Sequence, residues 1–211
     1  APMSLIDLPA LAASPLETEP FEHVIVPDFV TGDALKAVIA DYPEVPGAGS
    51  YPPDTLKIEG AFAKLAAELE GPAFREAVEK KFAISLAGLP TMYTVRGWCR
   101  HEDGKIHTDS KTKVITVLLY LNEAWEAGGG RLRLLRNGES LDNPAREVPP
   151  HGGTLLVFKR SETSWHGHEP FEGRRRALQL NWVTGADVVA REQFRHKVSA
   201  VSKALFGKKA S

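Results

Sequence analysis

His107 and Asp109 are separated by a single residue and stand just before the apolar run KVITVLLYL at 113–121. In extended chain, side chains two apart point to the same side, so this imidazole and this carboxylate can reach one ion together. Far down the chain, His166 follows the strand-like segment GTLLVF (153–158) and the loop KRSETSW. Two histidines and one carboxylate on one side of a metal are the ligand set that suits non-haem Fe(II), with further coordination positions left open. A bidentate 2-oxo acid would take two of those positions and O2 another. His168 has the same parity as His166 and competes with it on spacing alone; His101, His23, His151 and His196 lack partners at useful spacing and read as surface residues.

A 2-oxo acid with a second carboxylate needs a cation at its far end. Arg176 heads the run Arg176-Ala177-Leu178-Gln179-Leu180-Asn181-Trp182 and by period 2 shares a face with Leu178, Leu180 and Trp182. An arginine beside three large apolar side chains points inward, where a guanidinium requires a planar anionic partner. The distal carboxylate of 2-oxoglutarate supplies one. Arg174 and Arg175 read as solvated charge, with Arg175 taking over from Arg176 if a bulge shifts the register. On the strand after Asp109, Thr116, Leu118 and Tyr120 share a face and are placed around the cosubstrate, where the tyrosine hydroxyl can reach the same carboxylate.

These residues need a scaffold. The stretch 22–30 reads as a strand ending near Pro27. Thr31 is placed as an N-cap for a helix over 33–41, and two further helices are predicted over 60–69 and from Pro72 to about Phe82. Residues 1–20, with four prolines, read as a loosely held arm. The Pro/Gly-rich stretch 43–55 is a loop of the kind that often borders a site. From Leu89 the character changes to short β-rich runs, at 91–98, 113–121, 130–135, 153–158 and 175–183, separated by turn residues, which is the pattern of a sandwich or barrel. The tail 188–206 is helical, and its stripe of Phe194, Val198, Val201 and Leu205 is expected to pack on the sheet.

With HTD (107–109), TVLLYLNEAW (116–125), GGRLRLL (129–135), GTLLVFKRSETSWHGHEP (153–170) and RRALQLNW (175–182) in this order, the chain resembles the 2-oxoglutarate/Fe(II) oxygenase superfamily, in its prolyl-hydroxylase-like branch. The resemblance spans about residues 90–185. It implies an α+β fold, mostly β: a double-stranded β-helix (jelly-roll) core over 89–185, a mainly helical N-terminal support over 1–88 and a C-terminal helix over 186–211, together one oxygenase domain. It implies Fe(II), 2-oxoglutarate and O2, with hydroxylation of a C–H bond and release of succinate and CO2. By position His107, Asp109 and His166 match the iron ligands, Arg176 the basic residue for the distal carboxylate, and Tyr120 its assisting tyrosine. The branch's Tyr-x-x-Gly before the first ligand is absent; that stretch reads Arg96-Gly97-Trp98-Cys99-Arg100, and Trp98 is expected to line the pocket instead.

Composition narrows the partners. The 211 residues carry a net charge of -1, so nucleic acid and anionic membranes are not expected. The superfamily's nucleobase-repair branch is further disfavoured because Trp182 stands where that branch carries a second arginine. One cysteine, Cys99, excludes an internal disulfide or a thiolate zinc cluster. No apolar run approaches the roughly 20 residues of a membrane span, and the first residues lack the pattern of a signal peptide, so a cytoplasmic location is expected. The substrate is expected to be a small molecule or a peptide or protein. Lys111, Lys113 and the arginine run could draw an acidic one and equally read as a solvated rim. The competing reading is a cupin-like metal enzyme or binding module that does not use 2-oxoglutarate.

Overall fold

The computed structural model describes residues 3–206. Among these residues, eight strands form two antiparallel sheets. The larger has the order β1 (His23–Val26), β6 (Leu155–Lys159), β3 (Lys113–Tyr120), β8 (Gly173–Val183), β2 (Thr91–Cys99). The smaller has the order β5 (Arg146–Val148), β4 (Leu132–Leu134), β7 (His166–Gly167). The two sheets face each other as a jelly roll, as the sequence predicted. The short strands β5 and β7 carry too little periodicity to be seen in the sequence.

Two apolar layers hold the larger sheet, one on each face. Toward the helices, Val24, Val26, Ile115, Val117, Leu119, Leu155, Val157, Leu178, Leu180 and Trp182 meet Phe62, Leu65, Leu69, Phe74 and Val78. These come from α3 (Gly60–Leu69) and α4 (Pro72–Phe82), which lie where the sequence placed them. Between the sheets, Tyr120, Leu156, Phe158 and Ala177 pack on Leu132, Leu134 and Val148. The alternation is strict because side chains on a strand point to opposite faces in turn.

Several expectations are corrected here. The N-terminal arm is not loose: α1 (Leu8–Ala13) is capped by the Asp7 carboxylate, which accepts from the Ala10 N–H at 3.0 Å, and it buries Leu11 in the helical core. Thr31 stands at the N-cap of α2 (Gly32–Ala40), but its side chain makes no capping hydrogen bond. The tail forms α5 (Ala186–Phe206), yet Phe194, Val198, Val201 and Leu205 are exposed and do not pack on the sheet. The helix meets the sheet near its start instead, through Val188 against Met92 and Val183. His23 is fully buried, its Nδ1 2.8 Å from the Phe21 carbonyl, because its place on β1 turns it between the sheets beside Phe21.

Candidate metal and cosubstrate site

Backbone pairing brings the ligand candidates together. His107 and His166 exchange both of their N–H to carbonyl bonds at 3.0 Å, a narrow bridge that sets the two imidazoles side by side with ring centres 4.4 Å apart. Their Nε2 atoms lie 3.6 and 3.5 Å from Asp109 Oδ1. One ligand atom from each of the three residues falls within 4.8 Å of the others, which is the geometry of a metal-binding triad.

Tautomers are assigned from the partners. His107 Nδ1 lies 2.8 Å from the Lys105 carbonyl, and His166 Nδ1 lies 2.8 Å from the Ser164 carbonyl. A carbonyl accepts only from an N–H, so the proton sits on Nδ1 and the Nε2 lone pair is free for an ion. Asp109 is held from behind. Thr116 Oγ1 donates to Asp109 Oδ2 at 2.5 Å, Asn181 Nδ2 donates to Thr116 Oγ1 at 2.8 Å, and Arg160 Nε donates to the Asp109 carbonyl at 3.0 Å. Burial alone would raise the Asp109 carboxyl, but the flanking imidazoles outweigh it and hold it well below the usual carboxylate range. His107 is raised in turn, chiefly by Asp109. Thr116 thus acts on the metal ligand rather than on the cosubstrate end where the sequence placed it.

The triad opens into a cavity of about 160 Å³ that Thr116, Leu118 and Tyr120 line, as expected from their common face on β3. The arginine at its far end is Arg175, not Arg176. Arg175, Ala177 and Gln179 line the cavity, while Arg176 lies over the Tyr42 ring at 4.7 Å in a separate cleft on the opposite face of β8. The sequence reading had the parity right and the direction wrong. The face carrying Leu178, Leu180 and Trp182 is apolar because it packs on helices, and the metal lies on the other side. A bulge sits at this point, where Arg96 pairs with Ala177 but Trp98 pairs with Arg174.

Arg175 is buried, donates from Nε to the Gly130 carbonyl at 2.8 Å and lies 5.4 Å from the Tyr120 ring centre. No carboxylate among the described residues pairs with it. Among the described residues the Tyr120 hydroxyl, buried beside the Arg175 guanidinium, has no well-formed hydrogen bond, and burial pushes its pKa up, so it stays a neutral donor. A buried guanidinium and a buried orphan hydroxyl at one end of a cavity are the complement of a carboxylate. The residues therefore fit a metal at one end and a dicarboxylate reaching to the other.

His168 lines the cavity wall beside the triad, its Nδ1 2.8 Å from the Glu169 carbonyl. Burial, then the Arg175 charge, lowers its pKa to about 4. Gly104 lies against it with φ +91°, and a Cβ there would meet the His168 ring at 2.4 Å, so only glycine allows this loop to close over the ligand strand. Trp98 does not line the metal cavity. It is 42% exposed, donates from Nε1 to the Val45 carbonyl at 3.0 Å and carries Arg174 over its ring, beside the loop predicted at 43–55. Arg96 lines the cavity instead. Its signal was its alternation with Met92 and Thr94 along β2, which the sequence reading passed over.

Residues 91–184 match the model of the 2OG-Fe(II) oxygenase superfamily. This chain carries a 2-oxoglutarate/Fe(II) oxygenase domain. Fe(II), 2-oxoglutarate and O2 are accordingly its metal and cosubstrates, and the matched span of the oxygenase runs from β2 to the end of β8, including all three triad residues. Among solved structures the fold is similar to a prolyl-4-hydroxylase of Pseudomonas putida, with 20% identity, TM-score 0.58, and coverage of 88% of this chain and 100% of that one. It is similar to a prolyl 4-hydroxylase structure from Phytophthora capsici, with 15% identity, TM-score 0.57, and coverage of 99% and 82%. A prolyl hydroxylase of Trichoplax adhaerens, in complex with a hypoxia inducible factor oxygen degradation domain peptide fragment, matches with 16% identity, TM-score 0.54, and coverage of 83% and 88%. At these identities the likeness is one of fold. No curated protein sequence matches the chain. Among the described residues no helix is long and apolar enough to cross a membrane.

Proposed function

We propose that this chain works as one oxygenase unit that hydroxylates an unactivated C–H bond, in a small molecule or in a prolyl or other amino-acid residue. The balance is RH plus O2 plus 2-oxoglutarate giving ROH, succinate and CO2. His107, Asp109 and His166 would hold Fe(II) through Nε2, a carboxylate oxygen and Nε2. Arg175 would grip the distal carboxylate of 2-oxoglutarate, with the Tyr120 hydroxyl donating a second hydrogen bond. Bound iron and 2-oxoglutarate supply the activation of O2. The protein supplies orientation. Thr116 and Asn181 fix the Asp109 carboxylate, the Lys105 and Ser164 carbonyls fix the imidazole tautomers, and Leu118 and Leu132 line the apolar wall.

The observation that carries this reading is one cavity with a ligand triad at one end and a buried arginine without a carboxylate at the other. A metal enzyme that dispensed with the 2-oxo acid would leave that guanidinium without an anion. The test is anaerobic titration of the Fe(II)-loaded protein with 2-oxoglutarate, followed by admission of O2 and measurement of succinate. Stoichiometric Fe(II) binding and O2-dependent succinate are expected. Absence of 2-oxoglutarate binding to the metal-loaded protein would overturn the reading.

A further inference from the structure

The metal cavity has a neighbouring cavity on its β2 side. Arg96, Lys113 and Gln179 line both it and an adjoining cavity of about 120 Å³, whose other walls include Tyr93, Thr94 and Asn181 on the sheet and Arg195 and His196 on α5. The two cavities therefore adjoin across these three shared side chains, with Arg96 and Lys113 at the junction.

The charge at this junction is one-sided. Among the described residues no Asp or Glu lines the second cavity, and Asp109 is the one carboxylate lining the first. Arg195 is matched by Glu192 at 2.5 Å. Arg96 and Lys113 make no ion pair and no side-chain hydrogen bond among the described residues. At the inner site the charges cancel: Fe(II) and Arg175 against Asp109 and a 2-oxoglutarate dianion. Asp103 is the carboxylate whose charge reaches Arg96, and it is paired with Arg100, so two positive charges remain at the junction, in a partly enclosed wall where an unmatched cation is costly. A neutral peptide segment would leave them unmatched, and the space beyond them is that of a small molecule.

We propose that the substrate is a small carboxylic acid, its carboxylate held at the junction by Arg96 and Lys113 with the Gln179 amide as a neutral donor. The molecule lies between the two cavities, its reacting carbon toward His107, Asp109 and His166. This rests on the oxygenase reading above and adds the substrate class to it.

The test uses the full chain with Fe(II) and 2-oxoglutarate. Succinate release is measured with the common free amino acids and a set of small hydroxy and saturated carboxylic acids, each beside its primary amide, and with proline-containing peptides blocked at both ends. At least one free acid is expected to raise succinate release above the blank, with its amide at least ~30-fold poorer in kcat/KM. Arg96→Met and Lys113→Met are each expected to shrink that acid-to-amide ratio by ~10-fold or more, and Arg96→Lys to restore part of it. Thermal melts show whether each variant is folded. Calorimetry of the acid against protein loaded with Mn(II) and 2-oxoglutarate reads the same loss without turnover. The proposal is overturned if acid and amide are equivalent, if a blocked peptide is preferred, or if no acid exceeds the blank. It is also overturned if Arg96→Met weakens 2-oxoglutarate binding with the acid-to-amide ratio intact. If 2-oxoglutarate fails to bind the Mn(II)-loaded wild type, the oxygenase reading itself has failed, which is a separate result.

Discussion

The two faces of β8 run side by side and do different work. One presents Leu178, Leu180 and Trp182 to the helices and ends in Arg176 stacked on Tyr42. The other presents Arg175, Ala177 and Gln179 to the metal cavity, with Asn181 next in line supporting Thr116. The first face is large and apolar because it builds the core. The second is small or polar because a cavity has to exist there. Burial near a metal site is therefore read from small side chains and hydrogen-bonding groups, and a run of large apolar residues marks the wall that faces away from the chemistry.

Substitutions on the cavity side should damage function and leave the fold, and those on the helical side the reverse. The largest effect is expected for Asp109→Ala, which removes a ligand: metal content falls to background and succinate release drops by ~1000-fold or more, with an unchanged circular dichroism spectrum. Next, Trp182→Ala opens the helical core and should cost about 3–5 kcal/mol of stability, read as a lower midpoint in urea, while folded protein still binds 2-oxoglutarate. The two adjacent arginines give the sharpest contrast. Arg175→Met should raise the 2-oxoglutarate Kd by ~30-fold or more, because it leaves a carboxylate unpaired in a buried site. Arg176→Met should change that Kd by less than ~2-fold in the same titration. Equal effects from the pair would break the comparison. Tyr120→Phe removes one neutral donor and should weaken 2-oxoglutarate by about 3- to 10-fold, in line with a hydrogen bond of about 0.5–1.5 kcal/mol.

The smallest effect concerns His23, a polar group on the inter-sheet side away from the cavity. Burial, the largest influence, lowers its pKa below the usual 6.5; the Phe21 carbonyl opposes this, and Arg146 and Glu17 are the nearby charges. A histidine held neutral in the folded state loses stability for the protein once the unfolded chain can take up a proton. Stability should therefore fall as pH drops below about 6.5, and stop falling below the folded-state pKa. His23→Leu should flatten that part of a melting-temperature profile between pH 7 and pH 4. An unchanged slope would show that His23 is not its source.

Much of this was legible in the residues. The helices at 60–69 and 72–82 showed clear boundaries, Gly71 and Pro72 among them. HTD followed by an alternating strand placed His107, Asp109, Leu118 and Tyr120 where the structure has them. What was not legible depended on which layer lies on which side of a strand. Parity separates Arg175 from Arg176 but does not say which face meets the metal. The same ambiguity hid Arg96, and the α5 stripe was read as buried because periodicity shows that a helix has an apolar face, not that something covers it.

The run Arg174–Arg176 sits at the bulge where β8 holds one residue more than β2. Three like residues in succession make this junction tolerant to length. Deleting any one of them leaves two arginines in a row, and on a strand two neighbours always point to opposite sides. One guanidinium would still enter the cavity and one would still lie on the aromatic ring outside. Most single-residue deletions in a strand exchange its two surfaces wholesale, whereas at this position the protein carries a spare.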